Sequence, residues 1–296
     1  MNDGAKGITM NESGKFRLNN IRKTAKASVV AVALGVAMVA GSSAKAENLT
    51  ALVYLGNQIF TFDSSNPGTI LTSVGISGLQ GSDTLVGIDY FGSTLYAIGS
   101  AGNLYAVNGT TGAATLINHF GPLNGIYFGM DASAAGIRVV SDADINLLLN
   151  PSTGAIISST PTLTPTTLNL DAIANSGTTM YAVDSVANTL GILNTAAGTF
   201  STIGPIGYDV NSKNGFDISP TTGIAYFSSA VSSSGTDPNL YEINLATGFA
   251  SLVGQIGPGE GTLIDGLTVT AVPEPGTIAL ALVGGAGMIA LLRRRK

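Results

Sequence analysis

Between about residue 50 and residue 270, short apolar runs alternate with clusters of Gly, Asn, Ser and Thr. A clear stretch runs Leu95-Tyr96-Ala97-Ile98, a turn, Asn103-Leu104-Tyr105-Ala106-Val107-Asn108, a turn at Thr111-Gly112, then Ala114-Thr115-Leu116-Ile117. Runs of this length are too short for amphipathic helices. Bounded by turn formers and rich in Val, Ile, Leu and Tyr, they predict β-strands joined by tight turns. The unit recurs at Met180-Tyr181-Ala182-Val183 with Leu190–Asn194 and Phe200–Gly204, and at Ala225-Tyr226-Phe227 with Asn239–Asn244 and Ala250–Gly254. Weaker copies surround Pro67-Gly68 and Thr153-Gly154.

The turn glycines Gly68, Gly112, Gly154, Gly198 and Gly248 are spaced by 44, 42, 44 and 50 residues. A fourth strand precedes most units, at Val86–Asp89, Asn124–Tyr127, Asp171–Ala174 and Asn214–Asp217. The first unit has none in front of it, whereas Asp265-Gly266-Leu267-Thr268 follows the last unit with no unit of its own. The orphan strand therefore completes the orphan unit. Four strands per repeat of this period, five times over, predict an all-β, five-bladed β-propeller closed by a C-terminal strand in the first blade. Stacking buries both apolar faces of each four-stranded sheet, and closure removes the two end faces of an open stack.

The ends of the chain have a different pattern. Residues 15–26 carry Lys15, Arg17, Arg22, Lys23 and Lys26 without an acid, Ala27–Gly41 is apolar, and Ala44-Lys45-Ala46 is a small-x-small cleavage site. This is the layout of a secretory signal peptide over 1–46, whose signal helix flanks the propeller and which signal peptidase cuts after Ala46, with either Met1 or Met10 as its start. At the other end, Pro273-Glu274-Pro275 precedes 17 uncharged residues, Gly276–Leu292, and then Arg293-Arg294-Arg295-Lys296. The apolar stretch is just long enough for a transmembrane helix, and the basic finish holds its end in the cytoplasm.

The proline-flanked triplet, the short apolar segment and the basic end together resemble a PEP-CTERM sorting signal spanning 273–296. The resemblance implies export in a Gram-negative bacterium that makes exopolysaccharide. It further implies transient anchoring by the C-terminal helix, then cleavage by an exosortase-type membrane protease and release to the surface or outside. The body of the chain, through segments such as Leu85-Val86-Gly87-Ile88-Asp89, Leu95–Gly99 and Gly102–Tyr105, is similar to the bacterial domain of unknown function 4394. That resemblance implies a propeller-like secreted domain and brings no activity or functional residues.

With the two ends set aside, residues 47–272 hold 12 Asp and 3 Glu against Arg138 and Lys213 alone, so their net charge is 2 − 15 = −13. Such a domain lacks the cations that neutralise phosphates, which excludes nucleic acid as a partner. It suits neutral sugars, cations or basic proteins. There is no cysteine, which rules out thiol catalysis and leaves the exported fold to stand on its core. His119 is the only histidine and has no nucleophile motif nearby, so a loop role is the simpler reading. One His without Cys also falls short of a zinc ligand set. Asp142-Ala143-Asp144-Ile145-Asn146 begins like a calcium loop, but Leu147 and Thr153 stand where that loop needs a glycine and an acid. A hairpin turn between the second and third strands of blade three accounts for it.

Asp89 and Asp217 share one repeat position; Asp171 and Asp265 share another, with Asn124 and Asn214. On innermost strands these residues line the central channel, where a ring of Asp and Asn holds a cation or sugar hydroxyls. Repeated short polar residues also serve as strand-end caps. The functional expectation is a non-enzymatic surface or matrix propeller, binding or structural, associated with exopolysaccharide or the envelope. The alternative is a glycan-cleaving enzyme using a pair of channel aspartates. No cofactor is expected apart from calcium as a weak candidate.

Overall fold

The computed structural model describes residues 46–159, 163–164, 167–231, 235–257 and 261–270. Ala44 and the sorting residues Pro273, Glu274, Pro275, Arg293, Arg294 and Arg295 lie outside these, as do both expected terminal helices. The described residues form twenty strands in five four-stranded antiparallel sheets. Blade 1 joins β1 (Asn48–Val53), β2 (Gln58–Asp63) and β3 (Asn66–Gly75) to β20 (Ile264–Val269), in the order β20-β1-β2-β3. Blade 2 comprises β4 (Leu85–Phe91), β5 (Thr94–Gly99), β6 (Asn103–Val107) and β7 (Ala114–His119). Blade 3 comprises β8 (Phe128–Ser133), β9 (Gly136–Ser141), β10 (Asn146–Leu149) and β11 (Ile156–Ser159). Blade 4 runs from β12 (Leu170–Ser176) through β13 (Thr179–Asp184) and β14 (Thr189–Asn194) to β15 (Thr199–Pro205). Blade 5 runs from β16 (Val210–Ile218) through β17 (Ala225–Val231) and β18 (Pro238–Ile243) to β19 (Ala250–Gln255).

The ring closes where the sequence places it. The last strand, β20, pairs with β1, Ala51 facing Leu267 and Thr50 facing Thr268. The inner strands β20, β4, β8, β12 and β16 pack in that order around the axis, and β16 returns to β20. Because neighbouring side chains on a strand point to opposite faces, each blade feeds two cores. Tyr226 of β17 packs with Leu49, Phe60 and Leu267 toward blade 1, while Phe227 packs with Val183 and Leu190 toward blade 4. Five such clusters fill the five gaps between blades.

Glycine sets the radius of the ring. The second residue of each inner-strand motif is Gly87, Gly129, Ala172, Gly215 or Gly266. A Cβ on Gly215 would lie 2.3 Å from the Leu267 nitrogen, and one on Gly129 would lie 3.0 Å from the Ile173 nitrogen. Adjacent inner strands thus touch backbone to backbone, which leaves about 10 Å³ of space among Ile88, Met130, Ile173, Phe216 and Leu267. That is no more than one water needs, so the channel is blocked at its middle. At the rim, the turn residue Gly112 has a φ of 72°, and a Cβ there would meet the Gly75 carbonyl of blade 1 at 2.1 Å. The asparagine four residues earlier holds the turn, Asn108 Oδ1 accepting from the Thr110 and Thr111 amides at 3.0 and 2.9 Å.

Two expected positions are corrected. The inner strand of blade three is β8, which begins at Phe128, not the segment 124–127; Asn124 and Gly125 sit in the turn before it. Gly68 lies within β3, and the blade 1 hairpin turns at Ser64-Ser65 instead.

A latch reinforces closure. Glu47, just before β1, is buried, and its carboxylate accepts hydrogen bonds from three blade 5 hydroxyls: Ser219 Oγ at 2.6 Å, Thr222 Oγ1 at 2.9 Å and Tyr226 at 3.1 Å. Its backbone N–H donates to Ser64 Oγ at 3.0 Å, fixing the start of blade 1.

Candidate functional site

The blocked channel has two mouths. At the first, the fourth residue of each inner-strand motif is Asp89, Asp131, Ala174, Asp217 or Thr268. Asp89 and Asp217 therefore come together as expected, and Asp131 joins them. The polar members act as staples between blades. Asp89 Oδ2 accepts from the Ala132 amide of blade 3 at 2.5 Å, and Asp131 Oδ1 from the Asn175 amide of blade 4 at 2.8 Å. Asp217 Oδ2 accepts from the Val269 amide of blade 1 at 2.6 Å, and Thr268 Oγ1 from the Tyr90 amide of blade 2 at 3.1 Å. Each satisfies the N–H one residue beyond the matching position on the next blade, a group otherwise without a ladder partner. Only Ala174 breaks the circuit. The amide it would have served, that of Ile218, turns to Asp217 Oδ1 at 2.7 Å.

Burial raises the pKa of all three acids, because a desolvated carboxylate is disfavoured. Asp131 is pushed up to about 6 by burial, against the nearby Arg138 charge. Asp217 is pushed up to about 7 by burial and then by Asp131. Asp89 is raised well above the usual range by burial, then by Asp217 and Asp131. Thr268 sits between two of these carboxyls. Its hydroxyl lies 2.7 Å from Asp89 Oδ1 and 3.2 Å from Asp217 Oδ2. A hydroxyl supplies one proton, so a proton on either carboxyl turns the longer, shared contact into a second full hydrogen bond.

Above the staples opens a bowl of about 520 Å³, lined by the three aspartates, Tyr90, Phe91, Asn175, Ser133, Ser176 and Ser219, with no Lys, Arg or His. Asp131 Oδ2, at its floor, is buried without a hydrogen-bond partner among the described residues. Beside the bowl, a pocket of about 290 Å³ between blades 3 and 4 shares Ser133, Asn175 and Gly177 with it and contains Arg138.

The second mouth gathers Asp171, Asp265 and Asn214. Asp171 Oδ1 accepts from Asn214 Nδ2 at 2.9 Å, and Oδ2 from Ser185 Oγ at 2.5 Å. Burial raises Asp171 to about 7, and burial plus the Asp171 charge raises Asp265 to about 8, against Lys213. Lys213 spans this mouth, with Nζ 3.2 Å from the Tyr127 hydroxyl, 4.9 Å from the Tyr127 ring and 5.2 Å from the Tyr54 ring. Asn124 is not part of either set. Its carbonyl accepts from Ser141 Oγ outside the channel.

His119 ends β7 on an outer edge, its Nδ1 3.0 Å from Asn103 Oδ1. Asp142 and Asp144 sit in the β9–β10 hairpin. Asp142 Oδ1 accepts from the Ile126 amide at 2.8 Å, and Asp144 has a φ of 63°. Among the described residues no group of three or more acidic or histidine side chains is disposed to hold a metal ion. No described helix is long and apolar enough to cross a membrane.

A family profile described as a domain of unknown function, DUF4394, matches residues 58–268. The chain belongs to the DUF4394 family. A second profile, the PEP-CTERM protein-sorting motif, matches residues 271–296. This motif marks a protein exported through the membrane to the cell surface and recognised by exosortase, a membrane protein. No curated protein matches the chain. Among solved structures, glutaminyl cyclase from Myxococcus xanthus is similar at 12% identity, covering 67% of this chain and 83% of that one with a TM-score of 0.44. A protein of unknown function from Bacteroides thetaiotaomicron is similar at 15% identity, covering 71% and 58% with a TM-score of 0.47. A chain of the nidogen/laminin complex is similar at 12% identity, covering 76% and 98% with a TM-score of 0.42. These likenesses carry no argument about activity.

Proposed function

We propose that this DUF4394 protein is a non-enzymatic surface propeller that holds hydroxyl-rich polysaccharide of the envelope or exopolysaccharide in the bowl of its first mouth. The observation that carries the reading is the division of labour among the carboxyls. Of their oxygens, all but Asp131 Oδ2 are committed to backbone amides or to Thr268. Groups so committed hold the ring together and are poorly placed to move protons to and from a substrate. What remains around the bowl is Ser133, Asn175 and Ser176 with the exposed Phe91, a mixture of polar and aromatic groups that suits sugar rings. An acidic wall without a cation in the bowl itself favours a neutral hydroxylated ligand there.

Glycan-array binding and co-sedimentation with the producing cells' own envelope and exopolysaccharide test the reading. Selective retention, weakened in Phe91→Ala and Asn175→Ala, is expected. No retention on any glycan or envelope fraction would overturn it. The three raised carboxyl pKa values favour the glycan-cleaving alternative. Turnover of polysaccharide that disappears in Asp89→Asn or Asp217→Asn would establish that alternative, and turnover by neither native protein nor variant would remove it.

A further inference from the structure

Arg138 is one of two cations between residues 47 and 272, and it is half-buried. On β9 it stands directly opposite Asp131 on β8. Nη1 donates to Asn146 Oδ1 at 2.8 Å, and Asn146 Nδ2 in turn donates to the Thr195 carbonyl of blade 4 at 2.9 Å. The guanidinium is thereby anchored along one edge, across the gap between blades 3 and 4. Burial lowers its pKa, with the Asp131 charge opposing that shift. The group is still a permanent cation, and the charge that faces it from the paired strand is that of Asp131.

We propose that the Arg138 pocket is a subsite for a carboxylate, so that the glycan taken by the bowl carries a uronic acid unit beside a neutral one. This inference rests on the polysaccharide-binding reading and narrows it. A guanidinium offers a planar fork that matches a carboxylate with two parallel hydrogen bonds. Thr178, Asn175 and Ser133 line the same pocket and supply partners for ring hydroxyls. Because Ser133, Asn175 and Gly177 line both spaces, one chain of two or three sugars passes from pocket to bowl without leaving the surface. The charges facing the acid group are Arg138 first, then Asp131 on the paired strand, with Asp89 and Asp217 farther into the mouth. A polyanion is disfavoured by the surrounding acidity, whereas a single carboxylate within an otherwise neutral chain meets the one cation of this mouth.

The test compares cellobiouronic acid with cellobiose, which differ only in the carboxylate, by isothermal titration on the purified full chain. The acid is expected to bind roughly tenfold more tightly, the low end of a charge-assisted hydrogen bond. Arg138→Gln should bring the acid down to the affinity of cellobiose, and Arg138→Lys should recover part of the difference. Circular dichroism and the melting temperature report whether either variant is folded. Equal binding of the two sugars by the native protein, or an unchanged preference in folded Arg138→Gln, overturns the subsite and leaves the bowl standing. Binding of the acid alone supports the subsite and contradicts a neutral bowl. Binding of neither sugar overturns the subsite, and the glycan array decides the bowl.

Discussion

Replacing Glu47 with alanine should loosen the ring at its seam. In the native protein the carboxylate accepts three hydroxyl hydrogen bonds across the join between blades 5 and 1. Tyr226 and Ser219 are buried, so their lost partner is not replaced by water, whereas exposed Thr222 resolvates. A hydrogen bond to a charged group contributes about 1.5–3 kcal/mol, so two unreplaced bonds amount to roughly 3–6 kcal/mol. In a domain of this size 1 kcal/mol shifts Tm by about 2–4 °C, which places Glu47→Ala roughly 10 °C below the native protein. Glu47→Gln keeps the shape and one oxygen acceptor and should lose less than half as much. Tyr226→Phe should cost about 1–2 kcal/mol alone and much less in the Glu47→Ala background, because the two changes remove one shared bond. Differential scanning calorimetry of the native protein, the three single variants and the double variant measures this. A Tm for Glu47→Ala within 1 °C of native, or strict additivity with Tyr226→Phe, would refute the latch.

Three further outcomes are expected. Asp131, Asp171, Asp217 and Asp265 have folded pKa values raised to about 6, 7, 7 and 8, above an unfolded value of about 3.9. The folded state therefore holds more protons between those limits, and the stability they contribute is complete below about pH 4 and is lost as pH rises through the folded values. Urea midpoints should fall steadily from pH 5 to pH 9; a midpoint that rises over that range would contradict the burial of these carboxyls. Gly215→Ala places a Cβ against the Leu267 main chain, so it should cost about 3 kcal/mol or more or abolish folding, and a native-like Tm would show that the inner strands do not touch. Asp217→Ala strips acceptors from the Val269 and Ile218 amides and should cost about 2–4 kcal/mol by chemical denaturation, whereas a cost below about 0.5 kcal/mol would mean that it is no staple.

The fold was legible because a repeat states its own architecture. The period, the Asn-turn-Gly signature and the unmatched strand at Asp265–Thr268 together specify blade number and closure, and pairing of Ala51 with Leu267 follows. The third carboxylate of the mouth was missed for a definite reason. Asn124-Gly125-Ile126-Tyr127 imitates Asn214-Gly215-Phe216, whereas the strand that enters the ring carries Phe128-Gly129-Met130-Asp131, which matches Val86-Gly87-Ile88-Asp89. Aligning on Gly-x-Asp, the glycine being the contact between blades, would have found it. Gly68 misled because Pro-Gly is a turn signal, yet Pro67 and Gly68 lie in β3 against blade 5, the Pro67 carbonyl accepting from the Gly257 amide at 3.0 Å. The staples and the Glu47 latch had no local signal, since they join residues 43 to 179 positions apart. The subsite at Arg138 is likewise written only in three dimensions, through residues of two blades.

Closure of the ring by the last strand underlies the mouths, the staples and the bowl alike, and native-state hydrogen exchange read by mass spectrometry tests it most directly. Amides of β20, including Leu267 and Val269, should exchange as slowly as those of β1, and both should open together with β4 and β16. Rapid, independent exchange of residues 264–269 while blades 2 to 5 stay protected would contradict a closed five-bladed ring.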